Sequence, residues 1–151
     1  MNLTKYNWNQ LNHLQLGKYA EYFVKMNFVL HGFDVYSSEV DDRGIDFVVR
    51  QNDHTFYDIQ VKSVRNLNYI FFRKEHFELR DNLFAAIVLF NPSSEPDLYL
   101  VPSKSWLFPN ELFISRDYEG KKSQPEWGLN LCTKNLPLID KYSFDKIAAN
   151  I

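Results

Sequence analysis

The sequence predicts an α/β fold: a mixed central sheet with one long helix packed on a face and shorter helices elsewhere. Three observations carry this. Residues 13–31 place apolar side chains at three- and four-residue steps, the period of a helix with one buried face. Two short segments rich in β-branched and aromatic residues, 44–50 and 56–65, flank the polar stretch Gln51-Asn52-Asp53-His54 and read as a hairpin. Leu83 to Phe90 is continuously apolar and stops at Asn91-Pro92, as a strand buried on both faces does.

Taken in order, residues 1–12 are polar and aromatic, with Trp8 as the anchor. In the helix, Leu16, Tyr19, Ala20, Phe23, Met26 and Leu30 fill one arc; Gly17, Val24 and Phe28 extend it, and Glu21 sits at that margin. Gly32 is placed to end the helix. Phe33 to Tyr36 reads as a first strand, and Glu39, Asp41 and Asp42 form an acidic loop leading to Asp46. After the hairpin, 68–73 is a strand and 77–82 a short helix or turn. Residues 98–101 form a further strand, and Ser103 is expected to cap a short helix through Trp106 and Leu107, ended by Pro109. A strand at 112–114, a polar loop at 118–126 and a strand at 127–131 follow, with Ser143 capping a last helix through Ala149. No repeat or linker divides the chain, so residues 1–151 are expected to form a single domain.

Composition narrows the function classes. With 45% hydrophobic and 24% charged residues, the chain can bury a core and is not of a disordered class. Its longest apolar run, 83–90, is too short to span a bilayer, and the amino terminus lacks a secretory apolar core. The lone Cys132 fits a reducing compartment, so a cytoplasmic protein with no membrane partner is expected. The formal charge of −2 does not advertise a nucleic-acid binder, although Lys62, Arg65, Arg73 and Lys74 cluster locally and can meet phosphates. The four histidines have no metal-ligand spacing, the 5 glycines form no phosphate-cradling loop, and the serines lack the context of a hydrolase nucleophile.

Strand alternation then points to chemistry. On 56–65, Asp58, Gln60 and Lys62 share one face, while Tyr57, Ile59 and Val61 share the other. On the partner segment, Asp46 lies opposite Ile45, Phe47 and Val49. Hairpin pairing brings Asp46 beside Gln60 and Lys62. A hard cation such as Mg²⁺ (or Mn²⁺) takes oxygen ligands, and Asp46, the Gln60 side-chain oxygen and the Val61 backbone carbonyl supply three. Lys62 can orient a water or offset charge developing at phosphorus. Such a site suits metal-assisted phosphodiester hydrolysis.

The order Gly17-x-x-x-Glu21, Asp42-x-Gly44-Ile45-Asp46, Gln60-x-Lys62 resembles the PD-(D/E)xK nuclease superfamily, closest to its Mrr-like and Holliday-junction-resolvase-like branch. The match covers roughly residues 13 to 65. Ile45 stands where the family name has proline, and Gln60 in place of an acid removes a negative charge from the metal site. The resemblance implies a restriction-endonuclease-like mixed central sheet flanked by helices. It further implies Glu21, Asp46, Gln60 and Lys62 as catalytic residues, with Asp46, Gln60 and Val61 on the metal. Arg65, Arg73 and Lys74 would contact nucleic acid, DNA in the first instance, with a homodimer as a permitted assembly. A catalytically inactive nucleic-acid-binding module on the same fold and a protein-interaction domain stand as the alternatives.

Overall fold

The computed structural model describes residues 5–40 and 44–151; Asp41 and Asp42 of the acidic loop lie outside them. The long helix, α1, spans His13–Leu30. It starts on a capping box in which the Asn12 side chain accepts from the Gln15 N–H and Gln15 answers to the Asn12 N–H, both at 2.9 Å. It stops at Gly32, whose φ of +87° suits glycine. There the Phe33 and Gly32 N–H groups reach back to the Phe28 and Val29 carbonyls, the Schellman arrangement.

The described residues form eight strands, in the order β1 (Asp34–Ser37), β2 (Phe47–Asn52), β3 (Thr55–Val64), β4 (Tyr69–Arg73), β5 (Leu83–Leu89), β6 (Asp97–Pro102), β7 (Phe113–Arg116) and β8 (Glu126–Asn130). Five build a mixed sheet in the order β1-β2-β3-β5-β6, where β3 and β5 run parallel and the other pairs are antiparallel. The expected hairpin is β2–β3, with Phe47 opposite Ile59 and a bulge between Arg50 and Asn52 near the turn. The remaining three form a second antiparallel sheet, β4-β8-β7. Two short helices, α2 (Leu136–Ile139) and α3 (Phe144–Ala148), complete the chain with several 3-10 turns.

Each face of the five-stranded sheet covers its own core. On one side Leu16, Ala20, Phe23, Val24 and Phe28 of α1 pack on Phe47, Val49, Ile59 and Phe84, with Phe144 of α3 closing the end. On the other, Val64, Ala85, Ile87 and Leu89 meet Phe72, Phe113 and Leu129 of the second sheet around the buried Trp106. All seven residues of β5 are buried, because that strand is sandwiched between both cores.

Several local expectations are corrected. Met26 and Leu30 are exposed, at 55% and 82%. The buried arc of α1 runs through Leu16, Ala20, Phe23, Val24 and Phe28, because that side of the helix is the one that meets Phe47, Val49, Ile59 and Phe84 of the sheet. Of the short helix or turn expected over 77–82, the structure forms only a turn at Asp81 and Asn82, with a 3-10 turn before it at Lys74–His76. Ser103 caps nothing: its hydroxyl donates to the Arg80 carbonyl at 2.7 Å and accepts the Arg80 N–H at 2.9 Å, pinning the chain before β5. Ser143 precedes α3 without a side-chain cap bond.

Candidate active site

The site begins where β2 ends its pairing with β3. The Asp46 N–H donates to the Ile59 carbonyl at 2.9 Å, continuing the ladder one step beyond Phe47. At the next step the Asp46 carboxylate replaces the backbone: its Oδ2 accepts the Val61 N–H at 2.6 Å. In an extended strand the N–H and C=O of one residue project to the same side, so the Val61 carbonyl faces this edge as well. Asp46 and Gln60 thus lie side by side where the ladder opens.

The Gln60 amide carries the decisive feature. Its Oε1 is buried and has no hydrogen-bond partner among the described residues. A buried carbonyl oxygen left without a donor costs about 1–3 kcal/mol, so an orphan of this kind asks for a ligand. Gly44 lies against it. At φ +72° that residue adopts a backbone few side chains tolerate, and a Cβ there would stand 2.9 Å from the His76 carbonyl and 3.7 Å from Gln60 Oε1. The Gly44 turn therefore clamps the 74–76 turn onto the site.

Lys62, two residues along β3, stands on the same face as Gln60, where the second core thins out. Its Nζ lies 5.4 Å from the Phe72 ring centroid. Burial pushes the ammonium below its usual range, and the charge of Asp46 partly offsets this. Gln60, Lys62 and Gly44 form one wall of a cleft of about 480 Å³; Phe71, Arg73 and His76 form the other.

The remaining expected residues are dispersed. Glu21 sits on α1, on the opposite side of the sheet from Gln60 and Lys62, with its half-buried carboxylate held by Lys18 at 3.0 Å and Lys25 at 3.8 Å. Lys18 connects the two regions: Glu21 chiefly, and Asp46 more weakly, favour its charged form. Arg73 opens into the cleft, 3.8 Å from Glu75. Lys74 turns away, bonded to Ser115 at 2.8 Å and Asp117 at 2.7 Å over the Trp127 ring. Arg65 donates to the Leu11 carbonyl near the start of α1, outside the cleft. Asp58, on the Gln60 face, is taken up by Arg80 at 2.6 Å.

With this geometry in view, comparison with solved structures finds Hjc of Archaeoglobus fulgidus, a Holliday junction resolvase from an archaeal hyperthermophile. The match spans 89% of this chain and 97% of that one, with a TM-score of 0.56 and 15% sequence identity. The likeness is one of fold. The mixed five-stranded sheet and its helices match the nuclease-like fold of the resolvase, and the expected α/β class is borne out. No protein-family model and no curated protein matches the sequence.

The donor set fits a hard divalent cation. Its atoms are all oxygens: one carboxylate, the orphaned amide oxygen and a strand carbonyl. Among the described residues no group of three or more His, Cys, Asp and Glu side chains gathers to hold a metal. Phe71 and His76 were not found by sequence reasoning. They reach the cleft through pairing of β4 with a strand over 50 residues away, and no local spacing signals that.

Proposed function

We propose that the chain, as one nuclease-like domain over residues 1–151, is a metal-dependent phosphodiesterase acting on nucleic acid, DNA in the first instance. The observation that carries this reading is the buried, unpartnered Gln60 oxygen beside Asp46, on the sheet face that also bears Lys62. Asp46, Gln60 and the Val61 carbonyl would hold Mg²⁺ (or Mn²⁺). When bound, the ion supplies Lewis-acid polarisation of a phosphoryl oxygen and a more acidic water. The chain's own residues do the rest. Lys62, partly desolvated by burial, offsets negative charge developing on the phosphoryl oxygens more strongly than it would in bulk solvent. Asp46 is anchored by the Val61 N–H, which fixes its carboxylate beside Gln60. Arg73 at the cleft rim meets a flanking phosphate. Glu21, across the sheet and paired with Lys18 and Lys25, takes no direct part in this reading.

The test is cleavage of labelled single-stranded, duplex and branched DNA, with RNA alongside, in Mg²⁺ or Mn²⁺. Asp46→Asn retains an oxygen for the Val61 N–H but loses the charge, so cleavage should vanish while the melting temperature holds. A wild type that cleaves nothing under either metal but binds nucleic acid supports a second reading, a non-catalytic binding module. The single carboxylate in the donor set is the observation favouring it.

A further inference from the structure

The outer face of the second sheet carries an aromatic row that the hydrolytic site does not use. Alternation on β4 places Tyr69, Phe71 and Arg73 on that face, and the register sets Glu126 of β8 beside Arg73, with Arg116 of β7 on the far side of Glu126. The Tyr69 and Phe71 rings stack at 6.4 Å with 24° between their planes, and the Arg116 guanidinium covers Tyr69 at 4.7 Å. Tyr69 is fixed from below. Its hydroxyl donates to the buried Glu126 carboxylate, which also receives the Tyr118 hydroxyl at 3.1 Å. The ring lies so close to β8 that a Cβ at Gly128 would stand 2.0 Å from its hydroxyl oxygen. Phe71, by contrast, is 44% exposed and lines the cleft that holds Gln60 and Lys62.

We propose that this face is a stacking platform for an unpaired nucleic-acid strand entering the cleft. A base flanking the phosphate at Lys62 lies on the exposed Phe71, which Tyr69, covered by Arg116, supports from its side. Aromatic faces receive bases of any identity, and arginines beside them meet the backbone. The charge pattern agrees: Arg73 and Arg116 flank the row, and Glu126 is turned under the phenol hydroxyls rather than toward the strand. Glu75, near Arg73 and His76, is the acid such a strand must displace or pass. The substrate class is accordingly nucleic acid with unpaired bases, such as a flap, gap or open junction, in preference to continuous duplex.

This inference rests on the reading of the cleft as a nucleic-acid site, and the experiment separates the two. Anisotropy of dye-labelled single-stranded DNA, single-stranded RNA and blunt duplex is followed with the full chain at low salt, in chelator. The wild type should bind single strands of either kind more tightly than duplex. Phe71→Ala should weaken single-strand binding about 5- to 150-fold and leave duplex binding unchanged. Arg116→Gln should lower the salt dependence of single-strand binding by about one phosphate contact. Phe71 is half exposed, so an unchanged melting curve verifies that the variant is folded. If Phe71→Ala binds single strands like the wild type while metal-dependent cleavage persists, the platform is overturned and the hydrolytic site stands. If no nucleic acid binds in any form, both fall, and the aromatic face belongs to a protein partner.

Discussion

Gln60 brings an oxygen to the site without a charge, and its energetic position is unusual because that oxygen is buried and unbonded. Gln60→Glu should tighten Mn²⁺ binding in the free protein, measured by isothermal titration, since a second charge then faces the cation. Equal affinities would mean that position 60 is not a ligand. Lys62→Ala should divide the effects differently, keeping metal affinity while cleavage falls, as titration and single-turnover rates together would report. Gly44→Ala tests the clamp. Left-handed backbone costs roughly 1–2 kcal/mol for a residue with a Cβ, and the His76 carbonyl at 2.9 Å adds a clash. A loss of at least about 1 kcal/mol in urea denaturation is expected. At this scale the alternation of Asp58, Gln60 and Lys62 was legible in sequence because strand geometry is local. The pairing of Asp58 with Arg80 was not, since the arginine arrives from a loop 22 residues away.

Among the elements, α1 and the β2–β3 hairpin were the most legible. Their signals lie within one stretch of chain: a helical apolar period closed by Gly32, and two β-rich segments around a polar turn. The side that α1 buries was less so. Periodicity defines a stripe, but the sheet underneath selects which part of it is covered, so Phe28 is fully buried while Leu30 is 82% exposed. Phe28 packs its ring against Phe33, Phe47 and Phe144. Phe28→Ala should therefore cost about 3–5 kcal/mol, whereas Leu30→Ala should change the denaturation midpoint little. The second sheet escaped notice as a separate layer because strands at 69–73, 113–116 and 126–130 look alike whether they extend the first sheet or form another.

For the molecule as a whole, stability should depend on alkaline pH through two tyrosines. Burial, with the charges of Asp97 and Asp140 adding, pushes the Tyr99 phenol up to about 12. Tyr69 is raised as well, by burial first and then by its hydrogen bond to Glu126 and the charge there. An unfolded tyrosine ionises near pH 10. Above that value the unfolded chain releases protons that the native state retains, so the contribution is fully present below about pH 10 and is lost as pH climbs toward the folded values. The urea midpoint should stay level to about pH 10 and fall between about pH 10 and 12, and Tyr99→Phe should flatten the decline.

The parallel pairing of β3 with β5 has a consequence for the order in which the molecule comes apart. Asp46 meets Gln60 through a hairpin closed within a few residues, and β5, buried throughout, locks that hairpin from its other side. The opposite wall of the cleft depends on β4 finding β8 across more than 50 residues of chain, a closure that is slow to form and early to open. Native-state hydrogen exchange should accordingly show the amides of β3 and β5 opening only with global unfolding, and those of β4, β7 and β8 opening together in a cheaper event. In that opened state the acid–amide pair persists while Phe71, Arg73 and His76 have departed, leaving the two oxygens facing water with nothing above them to receive a strand.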